Sequence, residues 1–232
     1  MADSAAVFLF DVDNTLLDND AVQADLSAFL ERRFGQTCRD RYWVLFEELR
    51  LELGYADYLG ALQRYRLENL DDPQLLEVSS FLIDYPFAER LYPRALEVLK
   101  RLCGFGPTVI LSDGDVVFQP RKVEQAGIGG VVAGHVLIYI HKEAALDDVE
   151  RRYPAEHYVL VDDKMRILAA VKQFWRERVT TIFARQGSYA QDAKALGAFP
   201  PADMTIEHIA DLLDHDLSRL RAASRSLASN ER

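Results

Sequence analysis

Short apolar runs that stop abruptly at polar residues punctuate the chain. Ala6-Val7-Phe8-Leu9-Phe10 ends at Asp11-Val12-Asp13-Asn14-Thr15, Val109-Ile110-Leu111 ends at Ser112-Asp113-Gly114, and Tyr158-Val159-Leu160-Val161 ends at Asp162-Asp163. Runs of this length bounded by polar residues predict short buried strands. Val136-Leu137-Ile138-Tyr139-Ile140 is a further apolar stretch, and Lys142 behind it opens a helix reaching about Arg152. Val179 to Ala184 predicts a fifth strand, and Met204-Thr205-Ile206 a short edge strand. Helices fall between these runs. Leu96, Val98, Leu99 and Leu102 share a helical face, and Val116 to Gln125 forms a helix closed at Gly127, with Pro120 tolerated in its first turn. Another helix runs from about Met165 to Glu177, and a final one carries Ile209, Leu212, Leu213, Leu217 and Leu220. The tail beyond Ser224 is expected to fray.

From Asp18 to about Tyr92 the period changes to that of helices alone. Asp20 with Gln23 has the form of a capping box, and Val22, Leu26, Phe29, Leu30 and Phe34 then recur at helical spacing up to Gly35. Tyr42, Leu45, Phe46, Leu49 and Leu53 make a second stripe that stops at Gly54; a third helix spans about Ala56 to Leu70, and a fourth starts near Pro73. Most of the aromatic residues Tyr42, Trp43, Tyr55, Tyr58 and Tyr65 are expected to fill the interior of this block.

Side chains alternate across a strand, so Asp11 and Asp13 would project into one site while Val12 turns into the core. Two carboxylates side by side repel by roughly 4 kcal/mol at 4 Å and an effective dielectric of 20. A bound cation, or one carboxyl kept protonated for acid/base work, makes sense of such a pair. A loop start with a helix cap is the alternative. In open parallel sheets the ligand crevice lies beyond the carboxyl ends of the strands, where Asp11, Asp13, Ser112, Lys142, Asp162 and Asp163 could all meet.

The order Asp11-x-Asp13-x-Thr15, Ser112-Asp113-Gly114-Asp115 with Gln119, Lys122 and Gly127 behind it, Lys142, then Asp162-Asp163 resembles the haloacid dehalogenase superfamily. The likeness spans nearly the whole chain. One departure is Lys142-Glu143, where many relatives have Lys-Pro. The resemblance implies an α/β fold: a Rossmann-like parallel sheet with helices on both faces, built from residues 1–17 and 93–232, plus an all-helical cap over residues 18–92. It implies a Mg²⁺-dependent phosphomonoester hydrolase acting on a small phosphorylated metabolite. Asp11 would be the nucleophile and Asp13 the general acid and base, its pKa raised by the neighbouring carboxylate. Thr15 would support the loop by hydrogen bonding. Asp163, Asp162, Asp11 and the Asp13 carbonyl would hold Mg²⁺. Ser112, the backbone N–H groups of Asp113 and Gly114, and Lys142 at its helix N-terminus would bind phosphate. The Asp113 side chain is expected to point away or cap the next helix. A phosphomutase, a dehalogenase, or a non-catalytic regulatory relative could share this core; the paired acids count against a dehalogenase.

The net charge of −10 over 232 residues argues against nucleic-acid binding. No apolar run approaches the roughly 20 residues of a membrane span. Cys38 and Cys103 match no metal or redox spacing, and with no basic-then-apolar leader the expected setting is the cytoplasm, as monomer or homodimer. The block's basic residues between Asp20 and Arg90 are all Arg, and one of them could grip a second anionic group on the substrate.

Overall fold

The computed structural model describes residues 4–70, 75–191 and 196–215. At its centre lies a six-stranded parallel sheet in the order β3-β2-β1-β4-β5-β6. The strands are β1 Ser4–Phe10, β2 Thr108–Asp113, β3 Val136–Tyr139, β4 Ala155–Asp162, β5 Val179–Ala184 and β6 Met204–Ile206. Strand β1 is buried on both faces, which is why it reads as an unbroken apolar run. Phe8 and Phe10 pack on one side, and Val7 and Leu9 face the other, toward Leu146, Val149, Ile167 and Leu168. The chain moves from β1 outward to β2 and β3, then crosses back to β4, β5 and β6. The switch point is therefore between β1 and β4, and the ends carrying Asp11 and Asp162 stand side by side there.

Between β1 and β2 the chain builds α1 Asn19–Phe34, α2 Gln36–Leu53, α3 Tyr58–Glu68, α4 Leu75–Ile83 and then α5 Ala95–Cys103. The first four form the helical block. Its two ends run side by side: the Asp18 N–H donates to the Arg90 carbonyl at 2.8 Å, and the Tyr92 N–H to the Leu16 carbonyl at 2.9 Å. Gly54 ends α2 in the left-handed conformation, with φ 81°. The block's interior residues Leu26, Tyr42, Phe46 and Tyr58 belong to the same apolar cluster as Phe10, Leu17 and Phe118 of the sheet layer.

The remaining helices are α6 Phe118–Gln125, α7 Ile128–Val131, α8 Leu146–Arg152 and α9 Met165–Trp175. Several details differ from the sequence expectation. Asp18, and not Asp20, caps α1, accepting the Ala21 N–H at 2.9 Å. Helix α6 starts two residues later than its apolar pattern suggests, because the Asp115 carboxylate takes the N–H groups of Val117 and Phe118 at 2.8 and 2.7 Å. Lys142 opens only a 3₁₀ turn, Lys142–Ala144, with α8 following. A one-turn element offers no helix dipole for a phosphate. Ile209–Leu213 is a 3₁₀ turn as well. The start of the fourth helix near Pro73, Leu217, Leu220 and the tail beyond Ser224 lie outside the described residues. No helix among the described residues is long and apolar enough to cross a membrane.

The loop after β5 locks onto the loop after β1. Gln186 Nε2 donates to the Thr15 carbonyl at 3.0 Å, and Asp20 accepts from the Ser188 N–H at 2.6 Å and the Ser188 hydroxyl at 3.1 Å. Gly187 makes this possible: its φ is 72°, and a Cβ there would lie 2.4 Å from Asn14 Cγ. Gly187→Ala should therefore lower unfolding free energy by about 1–2 kcal/mol, from the left-handed backbone alone, with more if Asn14 cannot yield. Urea unfolding checks this, and an unchanged midpoint would mean that the two loops are not in register as described.

Candidate active site

The polypeptide leaves β1 still extended, with the Asp11 N–H bonded to the Val161 carbonyl at 3.0 Å. Val12 is fully buried, and Asp11 and Asp13 project on the other side, as alternation requires. The Val12 carbonyl then collects the N–H groups of Leu16 and Leu17, and Asn14 takes a positive φ of 57°, so the loop folds back tightly over the strand end. Thr15 supports the loop through its backbone carbonyl, which accepts from Gln186 Nε2 at 3.0 Å, while its hydroxyl is buried with no hydrogen-bond partner among the described residues.

Lys142 is the electrostatic centre of the site. It is completely buried, and its ammonium lies 2.5 Å from Asp11 Oδ1 and 2.6 Å from Asp162 Oδ2. Its backbone N–H is held by Asp113 Oδ1 at 2.7 Å. The Asp113 side chain thus points at the lysine loop. Glu143, at the position of the departure from Lys-Pro, pairs with Arg166 of α9 and ties that loop to the segment following Asp163. Burial alone would lower the Lys142 pKa, but Asp11, Asp162 and Asp113 outweigh it and hold the ammonium above its ordinary value.

Asp162 and Asp163 differ in their company. Asp162 has both oxygens engaged, Oδ2 by Lys142 and Oδ1 by the Lys164 N–H at 2.8 Å. Burial pushes its carboxyl up to about 6, against the pull of Lys142. Asp163 is buried with neither oxygen hydrogen-bonded among the described residues, and burial drives its pKa well above its ordinary value although Lys164 pulls the other way. Asp11 Oδ2 is likewise buried and unpartnered. Ligand oxygens of Asp11, Asp162 and Asp163 lie within 4.8 Å of one another. Unpaired buried carboxylate oxygens converging on one spot suit a hard divalent cation such as Mg²⁺, so these residues fit the metal. Five acidic side chains (Asp11, Asp13, Asp113, Asp162 and Asp163) gather with three lysines (Lys122, Lys142 and Lys164), and a divalent cation would let the buried carboxyls carry their charge.

The charge beside Asp13 is an ammonium and not the expected carboxylate: Lys122 Nζ donates to Asp13 Oδ1 at 2.6 Å. Ser112 is buried at the end of β2, and its hydroxyl accepts from Gln119 Nε2 at 2.9 Å. The Gly114 N–H is taken by the Tyr139 carbonyl at 3.0 Å, so it is not a free phosphate donor in this conformation. Sequence reasoning gave no role to Lys122, Lys164, Asn14 or Asn19. Lys122 could have been noticed as a charge four residues after Phe118 on a buried helical face, and Lys164 as the residue directly behind the acidic pair.

A cavity of about 510 Å³ opens above this floor. Asp13, Asn14, Asp113, Asp163 and Lys164 line its base, while Phe46, Glu47, Arg50, Gly54, Tyr55 and Ala56 of the helical block form the roof. Tyr55 faces the cavity, whereas Tyr42, Tyr58 and Tyr65 are buried inside the block as expected. Arg50 is the block arginine on the cavity wall, where it pairs with Glu47 at 2.7 Å and donates to the Tyr189 hydroxyl at 2.7 Å. Arg33, Arg39, Arg41, Arg64 and Arg90 are paired with acidic residues elsewhere.

A family model for haloacid dehalogenase-like hydrolases matches residues 5–174. A crystal structure from Burkholderia xenovorans LB400, described as that of a haloacid dehalogenase-like hydrolase, shares 63% identity over 92% of this chain and 99% of its own, with TM-score 0.88. More distant structures share the fold: L-2-haloacid dehalogenase from Xanthobacter autotrophicus (21% identity, 93% of this chain and 98% of its own, TM-score 0.57) and a HAD-hydrolase from Bacillus subtilis bound to magnesium (16%, 91% and 98%, 0.59). Among curated proteins, none matches.

If Asp163 is held as a buried, unpartnered carboxylate awaiting a cation, Asp163→Asn should stabilise the metal-free protein by about 1–2 kcal/mol, since a neutral amide costs less to bury. Millimolar Mg²⁺ should in turn stabilise the wild type, and the same change should remove that effect. Urea midpoints in chelator and in Mg²⁺ measure both. A variant that is weaker without metal and still responds to Mg²⁺ would show that Asp163 is not a ligand.

Proposed function

Because the chain belongs to the haloacid dehalogenase-like hydrolases, we propose that it is a Mg²⁺-dependent phosphatase working on a small phosphorylated metabolite through an aspartyl-phosphate. The observation that carries this reading is the pairing of a buried, lysine-anchored Asp11 with a second acid, Asp13, at the cavity wall, above unpartnered carboxylate oxygens. An attack on carbon with halide as leaving group has no use for a proton donor beside the nucleophile. Hydrolysis of a phosphate ester has.

Asp11 attacks phosphorus, forming an O–P bond as the ester P–O bond breaks, and Asp13 delivers a proton to the departing oxygen. A water then adds to phosphorus, giving its proton to the Asp13 carboxylate, and the bond to Asp11 is released with inorganic phosphate. Lys142 pairs with Asp11 and orients it, and adds positive charge where phosphate oxygens would sit. Ser112, steadied by Gln119, offers its hydroxyl to the same oxygens. Asp163 and Asp11, with the Asp13 carbonyl and Asp162 at hand, would hold Mg²⁺, whose charge offsets that of the substrate.

Residues 18–92 act as a cap on a core of residues 1–17 and 93–232. The cavity is larger than a phosphate needs, so the rest of the metabolite lies under the cap, where Arg50 could meet a second anionic group and the rings of Tyr55 and Tyr189 offer apolar faces. A cytoplasmic setting suits such a substrate.

Asp11→Asn is expected to cut phosphate release by roughly 10³-fold or more with the fold intact. Activity near wild type on 4-nitrophenyl phosphate would sink the covalent mechanism. In parallel, wild-type activity should vanish in chelator and return with Mg²⁺, and 2-haloacids should yield no halide. Halide release without metal would establish a dehalogenase instead.

A further inference from the structure

Lys122 lies on α6 outside the acidic cluster and is completely buried. A buried ammonium costs several kcal/mol unless other groups replace its water, and here the replacements are explicit. Its Nζ donates to Asp13 Oδ1 at 2.6 Å and to Asn19 Oδ1 at 3.0 Å. The rings of Phe118, Tyr58 and Phe87 surround it, with centroids at 5.1, 5.9 and 6.0 Å, within cation–π reach.

These groups come from separate parts of the chain. Asp13 follows β1, Asn19 opens the cap, Tyr58 lies on cap helix α3, and Phe87 belongs to the returning segment. Asn19 Nδ2 donates to the Tyr58 hydroxyl at 3.1 Å, and Gln23 Nε2 donates to the same oxygen at 3.0 Å. Tyr58 is thereby joined to Asp13 through Asn19 and Lys122. On Asp13 itself the two oxygens are treated unequally. Oδ1 is tied to Lys122, while Oδ2 has, among the described residues, only Gln119 Nε2 at 3.5 Å, and the carboxylate borders the cavity.

We propose that Lys122 is a positioning residue that fixes Asp13 by one oxygen and leaves the other for proton exchange, and that the cap sets this position through Tyr58 and Asn19. The inference rests on the acid/base role given to Asp13 above. A purely structural ion pair would hold α6 against the loop and affect stability, but it would not discriminate between leaving groups. A positioning role would. Only an ester whose alkoxide must be protonated on departure depends on where the Asp13 proton sits.

The test compares wild type, Lys122→Met and Tyr58→Phe on 4-nitrophenyl phosphate, which needs little protonation, and on a simple alkyl phosphate, which needs it fully. Lys122→Met is expected to lower kcat by about 10²-fold on the alkyl ester and by less than about 5-fold on the aryl ester, with KM within about 3-fold. Tyr58→Phe keeps the ring and loses only the hydroxyl, so it should fold even if Lys122→Met does not, and should show a smaller loss with the same bias. Equal losses on both esters in the folded variants would overturn the proposal, as would a Tyr58→Phe enzyme with the wild-type ratio of rates. Should the wild type hydrolyse neither ester, the phosphatase reading fails separately. Crystal structures then decide the role of Lys122: an Asp13 displaced or split between rotamers in Tyr58→Phe supports it, and an unmoved Asp13 overturns it.

Discussion

Carboxylates crowded at the ends of two adjacent parallel strands are the constraint around which this protein is built. Asp11 and Asp162 finish β1 and β4 and are both buried. At an effective dielectric of 20 two such charges a few ångströms apart would repel by several kcal/mol. Lys142 bridges them, and it can do so only because the β2–β3 edge brings its loop back over the strand ends. Asp113 holds that loop by the Lys142 backbone, and Glu143 braces it against α9 through Arg166. The ion pairs are thus a consequence of sheet order: without the switch between β1 and β4, neither acid would have the other as a neighbour.

The helical block adds a second seam with different physics. Its apolar interior runs without a break into the sheet layer, through Leu17, Phe87 and Phe118. The chemistry-bearing loop therefore has a wet side toward the cavity and a dry side toward the block. Asp13 stands on the border, with Lys122 behind it in the dry part. That placement explains how a charged residue can sit at zero exposure on α6: its neighbours are a carboxylate, an amide and three rings, all fixed by packing.

Much of this was legible from the chain because it depends on local pattern. Apolar runs ending in Asp11, Ser112 and Asp162 mark strand ends in any reading, and the alternation that buries Val12 while exposing Asp13 to the site is a property of two residues. What escaped was set by long-range contact. That Lys122 would meet Asp13 depends on where α6 docks, and that Gly114 would spend its N–H on Tyr139 depends on the β2–β3 register. Asp20 has the spacing of a capping box, but the β5 loop, far along the chain, brings Ser188 to its carboxylate. Lys142 heads a polar segment that reads as helix; Asp113 takes its N–H, and the chain makes a single tight turn before α8 begins.

The contacts that close the cavity differ in cost. At the rim, Arg50 to Tyr189 and Asp20 to Ser188 are exposed polar contacts of the kind that contribute about 0–1 kcal/mol each and exchange readily with water. At the seam, Tyr58, Phe87 and Phe118 are buried against one another around Lys122, and separating them would strand a charge in an apolar gap. Separating the block from the sheet layer would therefore cost least at the rim, while the paired segments at Asp18–Arg90 and Leu16–Tyr92 tie the block's two ends together. Gly54 sits at the edge of the roof. A Cβ there would come within 2.4 Å of the His141 ring, so the end of α2 can settle directly against the residue that precedes Lys142. The roof thus rests directly against the loop that carries Lys142, the partner of Asp11.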